Sequence, residues 1–248
     1  MSTSIDIKGV SVSYGRKRAL TNIYLKLEPG NIYGVIGPNG AGKSTLFKAM
    51  LELTEISSGS IEFMGQSIKD IRKKIAYVPQ RDEVDWQFPA TVYDIVLMGR
   101  YPYKKIFQRL NSADHLIADK ALQEIGIEDL KNRQIGALSG GQQQRVFIAR
   151  ALCQQADIFM LDEPFVGVDM TTEEKIIQIL KSLAAEGKTL LVVHHDLSTI
   201  DQYFDKIILL NQRLVAYGDT KTTFTPENIS KAYGPQLTIL QKTEQVKG

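Results

Sequence analysis

The segment Gly37-Pro38-Asn39-Gly40-Ala41-Gly42-Lys43-Ser44-Thr45 constrains this chain more than any other, because it fits G-x-x-x-x-G-K-[ST]. Asn31-Ile32-Tyr33-Gly34-Val35-Ile36-Gly37 reads as a short buried strand running into it. The spacing of Leu46, Phe47, Met50 and Leu51 predicts a helix from Lys43 to Leu53 leaving it. Glycines let backbone N–H groups curl round an anion with no Cβ in the way, and the helix aims its N-terminus at the same point. In such a loop Lys43 reaches the β- and γ-phosphates of a nucleotide, and the Ser44 hydroxyl ligates Mg²⁺. The plain alternative is a Gly-rich strand-to-helix turn; the strand before it and the helix after it favour a nucleotide site.

Composition limits what can surround that loop. The 248 residues are 43% hydrophobic and 23% charged, which suits one large folded domain, or a core with a lobe inserted, and excludes a disordered chain. Thirty Lys and Arg against 28 Asp and Glu leave a net charge of +2, which gives no case for nucleic acid as a partner. No apolar run reaches the roughly 18 residues that a membrane-spanning helix needs. Met1-Ser2-Thr3-Ser4-Ile5-Asp6 has neither basic flank nor apolar core, so it is not read as a secretion signal. The single cysteine, Cys153, excludes an intrachain disulfide, fits a reducing cytosol and reads as a small core residue.

Hydrophobic periodicity divides the chain into three stretches. Ile5, Ile7, Val10 and Val12, then Ile23 to Leu27, predict strands, and Pro29-Gly30 a turn. Ile61 to Phe63 and Ala76 to Val78 predict two more. From Thr91 to Arg150 three helical stretches dominate: Thr91–Met98, Ser112–Ile125 and Gly141–Cys153. Strands then resume at Ile158–Leu161 and Leu190–Val193, apolar enough for burial on both faces, with a helix from about Thr172 to Ala184 between them. Lys206–Leu210 and Arg213–Tyr217 predict the last strands, and Thr225-Pro226-Glu227 starts a helix with Pro in its first turn. The tail beyond Leu240 is expected to fray.

Two further segments carry chemistry. Ile158 to Glu163 is an apolar strand ending in two acids, at the edge where α/β sheets bind ligands. There Asp162 can hold a hydrated Mg²⁺ and Glu163 can accept a proton from an attacking water; alternatively both acids merely turn the chain before Pro164. Leu138-Ser139-Gly140-Gly141-Gln142-Gln143-Gln144-Arg145 is a second glycine-containing loop opening a helix. It suits an anion, which would make two chains share each nucleotide; equally, Ser139 could simply cap its helix.

Leu138 to Gln142, read with the phosphate loop and Leu161-Asp162-Glu163-Pro164, resembles the ATP-binding subunits of ABC transporters over about residues 5 to 218. The resemblance implies an α/β fold: a P-loop NTPase (RecA-like) core with an N-terminal antiparallel β subdomain and an inserted α-helical lobe. It places the core at 1–88 and 155–218, the signature lobe at 89–154 and a C-terminal extension at 219–248. It implies ATP and Mg²⁺ as cofactors. By the same resemblance Tyr14 stacks on adenine, Gly37, Pro38, Asn39, Gly40, Ala41, Gly42, Lys43, Ser44 and Thr45 hold the phosphates, and Ser139, Gly140, Gly141 and Gln142 close on them from a partner copy. Asp169, in Gly167-Val168-Asp169, crosses to that partner. Glu163, Gln80 and His195 are the catalytic positions, and Ser44, Gln80 and Asp162 the metal positions. His194 remains the alternative switch histidine.

Glu83 to Pro89, Val96 to Tyr101, Phe165 after Asp162-Glu163-Pro164, and Tyr233-Gly234 resemble the branch serving manganese, zinc and iron importers. Phe165 departs from the small or hydroxylated residue usual there. The implied partners are a second copy of the chain arranged head to tail, a transmembrane permease and an extracytoplasmic substrate-binding protein, with no nucleic acid. The implied place is the cytoplasmic face of the membrane, held through the permease. Another cargo, such as a siderophore, or a soluble ABC ATPase of translation or DNA repair, are the alternatives. Trp86, Phe88 and Pro89 read as an anchor for a permease helix, or else as side chains turned into this chain's own core. Arg100, Lys104, Lys105 and Arg109, interleaved with Tyr101, Tyr103 and Phe107, read as a solvated or membrane-proximal face.

Overall fold

Alternating inward and outward side chains build the first sheet of the protein, whose computed structural model describes residues 4–234. In β1 (Ile5–Tyr14), Ile5, Ile7, Val10 and Val12 are buried while their neighbours face out. β1 pairs antiparallel with β2 (Lys17–Leu27), Ile5 opposite Leu27 and Tyr14 opposite Lys17. After β3 (Asn31–Ile36) and α1 (Lys43–Met50), β4 (Ser58–Phe63) pairs with the other edge of β1, giving the order β2-β1-β4.

The chain divides into two units, one running to Asp70 and resuming at Leu191, the other spanning Ile71–Leu190. In the second unit β5 (Ile75–Val78) runs parallel to β6 (Ile158–Asp162), with Ile75 opposite Ile158 and Val78 opposite Leu161. Between them lie α2 (Val92–Leu97), α3 (Ser112–Ile125) and α4 (Gly140–Cys153). Each starts on a reciprocal capping box, Thr91 with Asp94, Asn111 with Asp114 and Ser139 with Gln142, satisfying donors the helix cannot satisfy itself. α3 ends at Gly126, in the left-handed region at φ 69°. α5 (Met170–Ala185) then leads to β7 (Thr189–Val193), within which the division falls. All five residues of β6 and all five of β7 are buried, as expected of strands covered on both faces.

The first unit closes with β8 (Lys206–Leu210), parallel to β3 from Tyr33–Lys206 to Ile36–Leu209, and β9 (Leu214–Asp219), antiparallel to β8. α6 (Pro226–Tyr233) starts with Thr225 as its cap and Pro in its first turn, as the sequence predicts. The expected fray beyond Leu240 lies outside the described residues.

One buried ion cluster sets the geometry between α2 and α3. Asp114 accepts from Arg100 Nε at 3.2 Å and pairs with the Lys104 ammonium, all three side chains being at most one-tenth exposed. Arg100 also donates to the Cys153 carbonyl at 2.9 Å and to Gln155 Oε1 at 3.2 Å, and its guanidinium lies 4.6 Å from the centre of the Tyr103 ring. The basic run is therefore not one solvated face: Arg100 and Lys104 turn inward, Lys105 and Arg109 stay out. Beside the cluster the Cys153 side chain is fully buried, and burial pushes its thiol up to about 12.

The Asn111 backbone N–H, then Lys104 and Arg100, hold the Asp114 carboxyl at about 2. Its stabilising contribution is present above the unfolded carboxylate range and is lost as pH falls through about 2. Asp114→Asn leaves two cations facing a neutral amide, and breaking one side of such a buried cluster costs about 3 kcal/mol. Urea unfolding monitored by circular dichroism checks this; an unchanged midpoint would show that the cluster does not hold the helices.

Candidate functional site

In the first unit the phosphate-type loop is shaped by backbone lying on backbone. Gly37 is buried, and a Cβ on it would sit 2.1 Å from the Leu210 carbonyl oxygen, so no side chain fits. Ala41 N–H donates to the Pro38 carbonyl at 3.1 Å, closing a turn, and Gln212 N–H donates to the Ala41 carbonyl at 2.8 Å, tying the loop to the β8–β9 connection. Gly42, at φ 96°, caps α1 with no side chain on the first-turn amides. Lys43 is buried and its ammonium donates to the carbonyls of Gly37 at 2.7 Å and Pro38 at 3.2 Å. Asn39 and Gly40 are exposed, and Ser44 and Thr45 are half-buried in the first turn of α1.

Three other residues of this unit named from the sequence differ sharply in setting. Tyr14 ends β1 with its ring half exposed. His194 and His195 follow the last residue of β7. His194 is buried, its backbone N–H donates to Val35 O at 3.2 Å, and its Nε2 lies 2.8 Å from Thr199 Oγ1. Phe204 stands edge-on to it at 5.3 Å. Burial, with the neighbouring His195 adding to it, lowers its pKa to about 4, so it is neutral near pH 7. His195 is exposed.

In the second unit, the strand-end acids and the Ser139 loop lie among shared neighbours. Asp162 is fully buried at the end of β6. Burial, then the Asp162 and Glu83 carboxylates, push the Tyr77 hydroxyl far up, so Tyr77 stays a neutral phenol facing Asp162. Glu163 takes a left-handed φ of 51° immediately before Pro164, a conformation that costs an L-residue roughly 1–2 kcal/mol. Its Oε2 accepts from Gln80 Nε2 at 3.1 Å. Gly141 comes so close to the Gly167 carbonyl that a Cβ would lie 2.9 Å from it. That brings the Ser139–Gln142 segment beside the Gly167–Asp169 turn. Ser139 and Gln142 cap α4, and Asp169 caps α5, accepting from Thr172 N at 3.0 Å and Thr172 Oγ1 at 2.7 Å. Those two bonds hold the Asp169 carboxyl below the usual carboxylate range.

Three residues not singled out for the site organise this group. The Arg81 guanidinium lies where a side chain on Gly140 would be, 2.8 Å from its Cβ position, and Arg81 Nε donates to Gln143 Oε1 at 3.4 Å. Arg150 donates to the Tyr77 carbonyl at 2.7 Å while stacking on Phe147 at 4.5 Å. Trp86 packs edge-on against Phe147 at 5.3 Å and donates to Arg81 O, whereas Phe88 is 51% exposed. The expected aromatic pair thus splits, one ring inward and one outward. The signal available in sequence was the position of Arg81 next to Gln80.

These residues fit a nucleotide and a hard cation. Capless amides, a glycine that no Cβ may replace and a buried lysine suit polyphosphate oxygens. The Ser44 hydroxyl in the first unit and, separately, the Asp162 carboxylate and Gln80 amide in the second are oxygen donors of the kind Mg²⁺ takes. Among the described residues no group of three or more His, Cys, Asp or Glu could hold a metal ion. No helix among them is long and apolar enough to cross a membrane.

Comparison with known proteins finds relatives over nearly the whole chain. The profile of the ABC transporter family matches residues 20–166. The manganese transport system ATP-binding protein MntB of Bacillus subtilis is 50% identical over 244 residues, covering 98% of each chain. The zinc transport system ATP-binding protein TroB of Treponema pallidum is 46% identical over 94% of this chain and 88% of its own. Among solved structures, a dimeric bacterial ABC transporter cassette superposes with a TM-score of 0.76 at 30% identity, covering 87% of this chain and 98% of that one.

The buried His194 gives a pH signature. Its folded pKa of about 4 lies below the ordinary 6.5, so the unfolded chain binds the extra proton. Its contribution is full above pH 6.5 and is lost as pH falls toward 4, by up to about 3 kcal/mol. In His194→Gln the stability curve over that interval should be flatter than in the wild type, as measured by urea unfolding at a series of pH values. Parallel curves would show that His194 is not the titrating group.

Proposed function

The chain belongs to the ABC transporter family, and from that premise we propose that it is the ATP-hydrolysing subunit of a membrane importer for a divalent transition metal. The observation that carries the ATPase reading is the loop of Gly37 to Thr45, with its uncapped helix and buried Lys43. The metal cargo is supported by relatives named for manganese and zinc transport over nearly the whole chain. The cargo would pass through a separate permease that this subunit powers. We place it at the cytoplasmic face, held there by the permease and served by an extracytoplasmic binding protein. The proposed parts are a core of 1–88 and 155–218, a signature lobe of 89–154 and an extension from 219.

In this reading the amides of Gly37 to Thr45 and the Lys43 ammonium bind the phosphates of ATP, and the Tyr14 ring stacks on adenine, a contact worth roughly 1–3 kcal/mol by analogy with base stacking. Ser44, Gln80 and Asp162 would hold Mg²⁺, which when bound neutralises charge on the β- and γ-phosphate oxygens. Glu163 accepts a proton from water as the water oxygen bonds to the γ-phosphorus and the bond to the ADP oxygen breaks. The hydrogen bond from Gln80 supports that role by holding the carboxylate in place. His195, exposed after β7, donates to the γ-phosphate, while the buried neutral His194 braces the turn. Ser139, Gly140, Gly141 and Gln142 of a second copy close on the same nucleotide, with Asp169 at the crossing between copies.

Glu163→Gln should keep ATP binding while turnover falls about 10²–10⁴-fold, and ATP should then trap a dimer. Phosphate release and gel filtration with ATP test this, and unchanged steady-state hydrolysis would remove Glu163 as the base.

Composite sites have their own test. Lys43→Ala and Ser139→Arg chains, mixed, contain one intact composite site per heterodimer. ATP-dependent heterodimers should form better than either homodimer, read by pull-down between differently tagged chains. No gain on mixing would mean that each loop serves its own chain.

A further inference from the structure

Between α2 and α3 the chain makes an outward turn with the reverse of normal polarity. Gln108 N–H donates to the Lys105 carbonyl at 2.9 Å and Lys105 N–H donates to Gln108 Oε1 at 3.0 Å, closing Lys105 to Gln108 from both sides. The two residues at the tip are apolar: Ile106 is 87% exposed and Phe107 100% exposed. Phe107 also sits at φ 66°, a left-handed conformation that a turn normally gives to Gly or Asn and that is costly for a bulky residue. Local stability therefore accounts for neither its side chain nor its backbone.

The base of the turn is rigid. Asp114 fixes Arg100 and Lys104 in the interior, and Tyr103 donates to the Lys73 carbonyl at 3.3 Å. From Gly99 to Asn111 there are four cations and no acid. Asp114 takes up two of them, leaving Lys105 and Arg109 exposed on either side of Ile106 and Phe107. Tyr101 is also exposed. An apolar tip flanked by uncompensated cations and a tyrosine is complementary to an anionic lipid surface, where rings sit at headgroup depth and Lys and Arg meet phosphate. Two tip side chains fall far short of the roughly 800 Å² per partner that a specific protein interface buries, so area favours lipid over a protein groove.

We propose that the turn Lys105–Arg109 is a membrane-touching tip, with Ile106 and Phe107 entering the interfacial layer of an anionic bilayer while Lys105 and Arg109 pair with lipid phosphates. This goes beyond the transport reading, and it is tested without nucleotide, permease or cargo metal, so the two can fail separately.

The full chain is mixed with vesicles of phosphatidylcholine alone, or of equal parts phosphatidylcholine and phosphatidylglycerol, and the bound fraction is read by flotation at low and high salt. Binding should require phosphatidylglycerol and weaken with salt. Lys105→Glu with Arg109→Glu should lower it about thirtyfold or more. Phe107→Asn is the decisive variant, because Asn tolerates a left-handed φ. Its melting temperature should equal or exceed that of the wild type while vesicle binding falls about tenfold. Equal binding to both vesicles, or variants that bind like the wild type, overturns the proposal. So does loss of permease capture in detergent by these variants with vesicle binding intact, which would assign the tip to a protein partner.

Discussion

Strands buried on both faces leave polar chemistry nowhere to go but their ends. β3, β6 and β7 are mostly buried apolar residues, so a polar side chain within them needs a partner, as the Tyr33 hydroxyl of β3 has in Glu28. The candidate site groups accordingly lie at or beyond the ends of these strands: Lys43 beyond β3, Asp162 and Glu163 at the end of β6, His194 and His195 after β7. Each such end carries a local constraint. Gly37 is pressed on the Leu210 carbonyl, Glu163 is held in a left-handed conformation, and His194 is locked to Thr199.

A second pattern concerns side chains with two duties. Ser139 and Asp169, which the proposed function gives nucleotide and partner contacts, both cap helices in the single chain. A cap side chain is worth roughly 0.5–2 kcal/mol to its helix. Any second contact made by these oxygens must add to the cap or replace it at that cost. The glycines of the same loop avoid the conflict, because their backbone can meet a ligand without giving up a side-chain bond. Arg81, lying over Gly140 and joined to Gln143, links the residue after Gln80 to this loop through one side chain.

The order of elements was legible because the hydrophobic period changes cleanly along the chain. Ser112–Ile125 and Lys206–Leu210 match their predicted bounds, and β6 and β7 show the expected double burial. The candidate site residues stand out as motifs, since Gly, Lys and Ser at fixed spacing have few other uses. What the sequence did not show came from partners far along the chain. Arg100 and Lys104 look like surface cations until Asp114 is placed beneath them. Trp86 and Phe88 look alike in a polar segment, but only Trp86 finds Phe147 and a carbonyl for its indole N–H. His194 and His195 likewise look alike in sequence, but only His194 is buried against Thr199 and Phe204, which no local pattern encodes.

The burial of Cys153 has a consequence in redox terms. Oxidants and electrophiles act on an accessible thiolate, and this sulfur is wholly enclosed with its proton held up to about 12. It is also the only cysteine in the sequence. The folded chain therefore presents no thiol that peroxide, glutathione or a thiol-seeking metal could modify at neutral pH. Direct oxidation of the folded chain would therefore fall on methionine, with Met170 76% exposed, and not on a thiol.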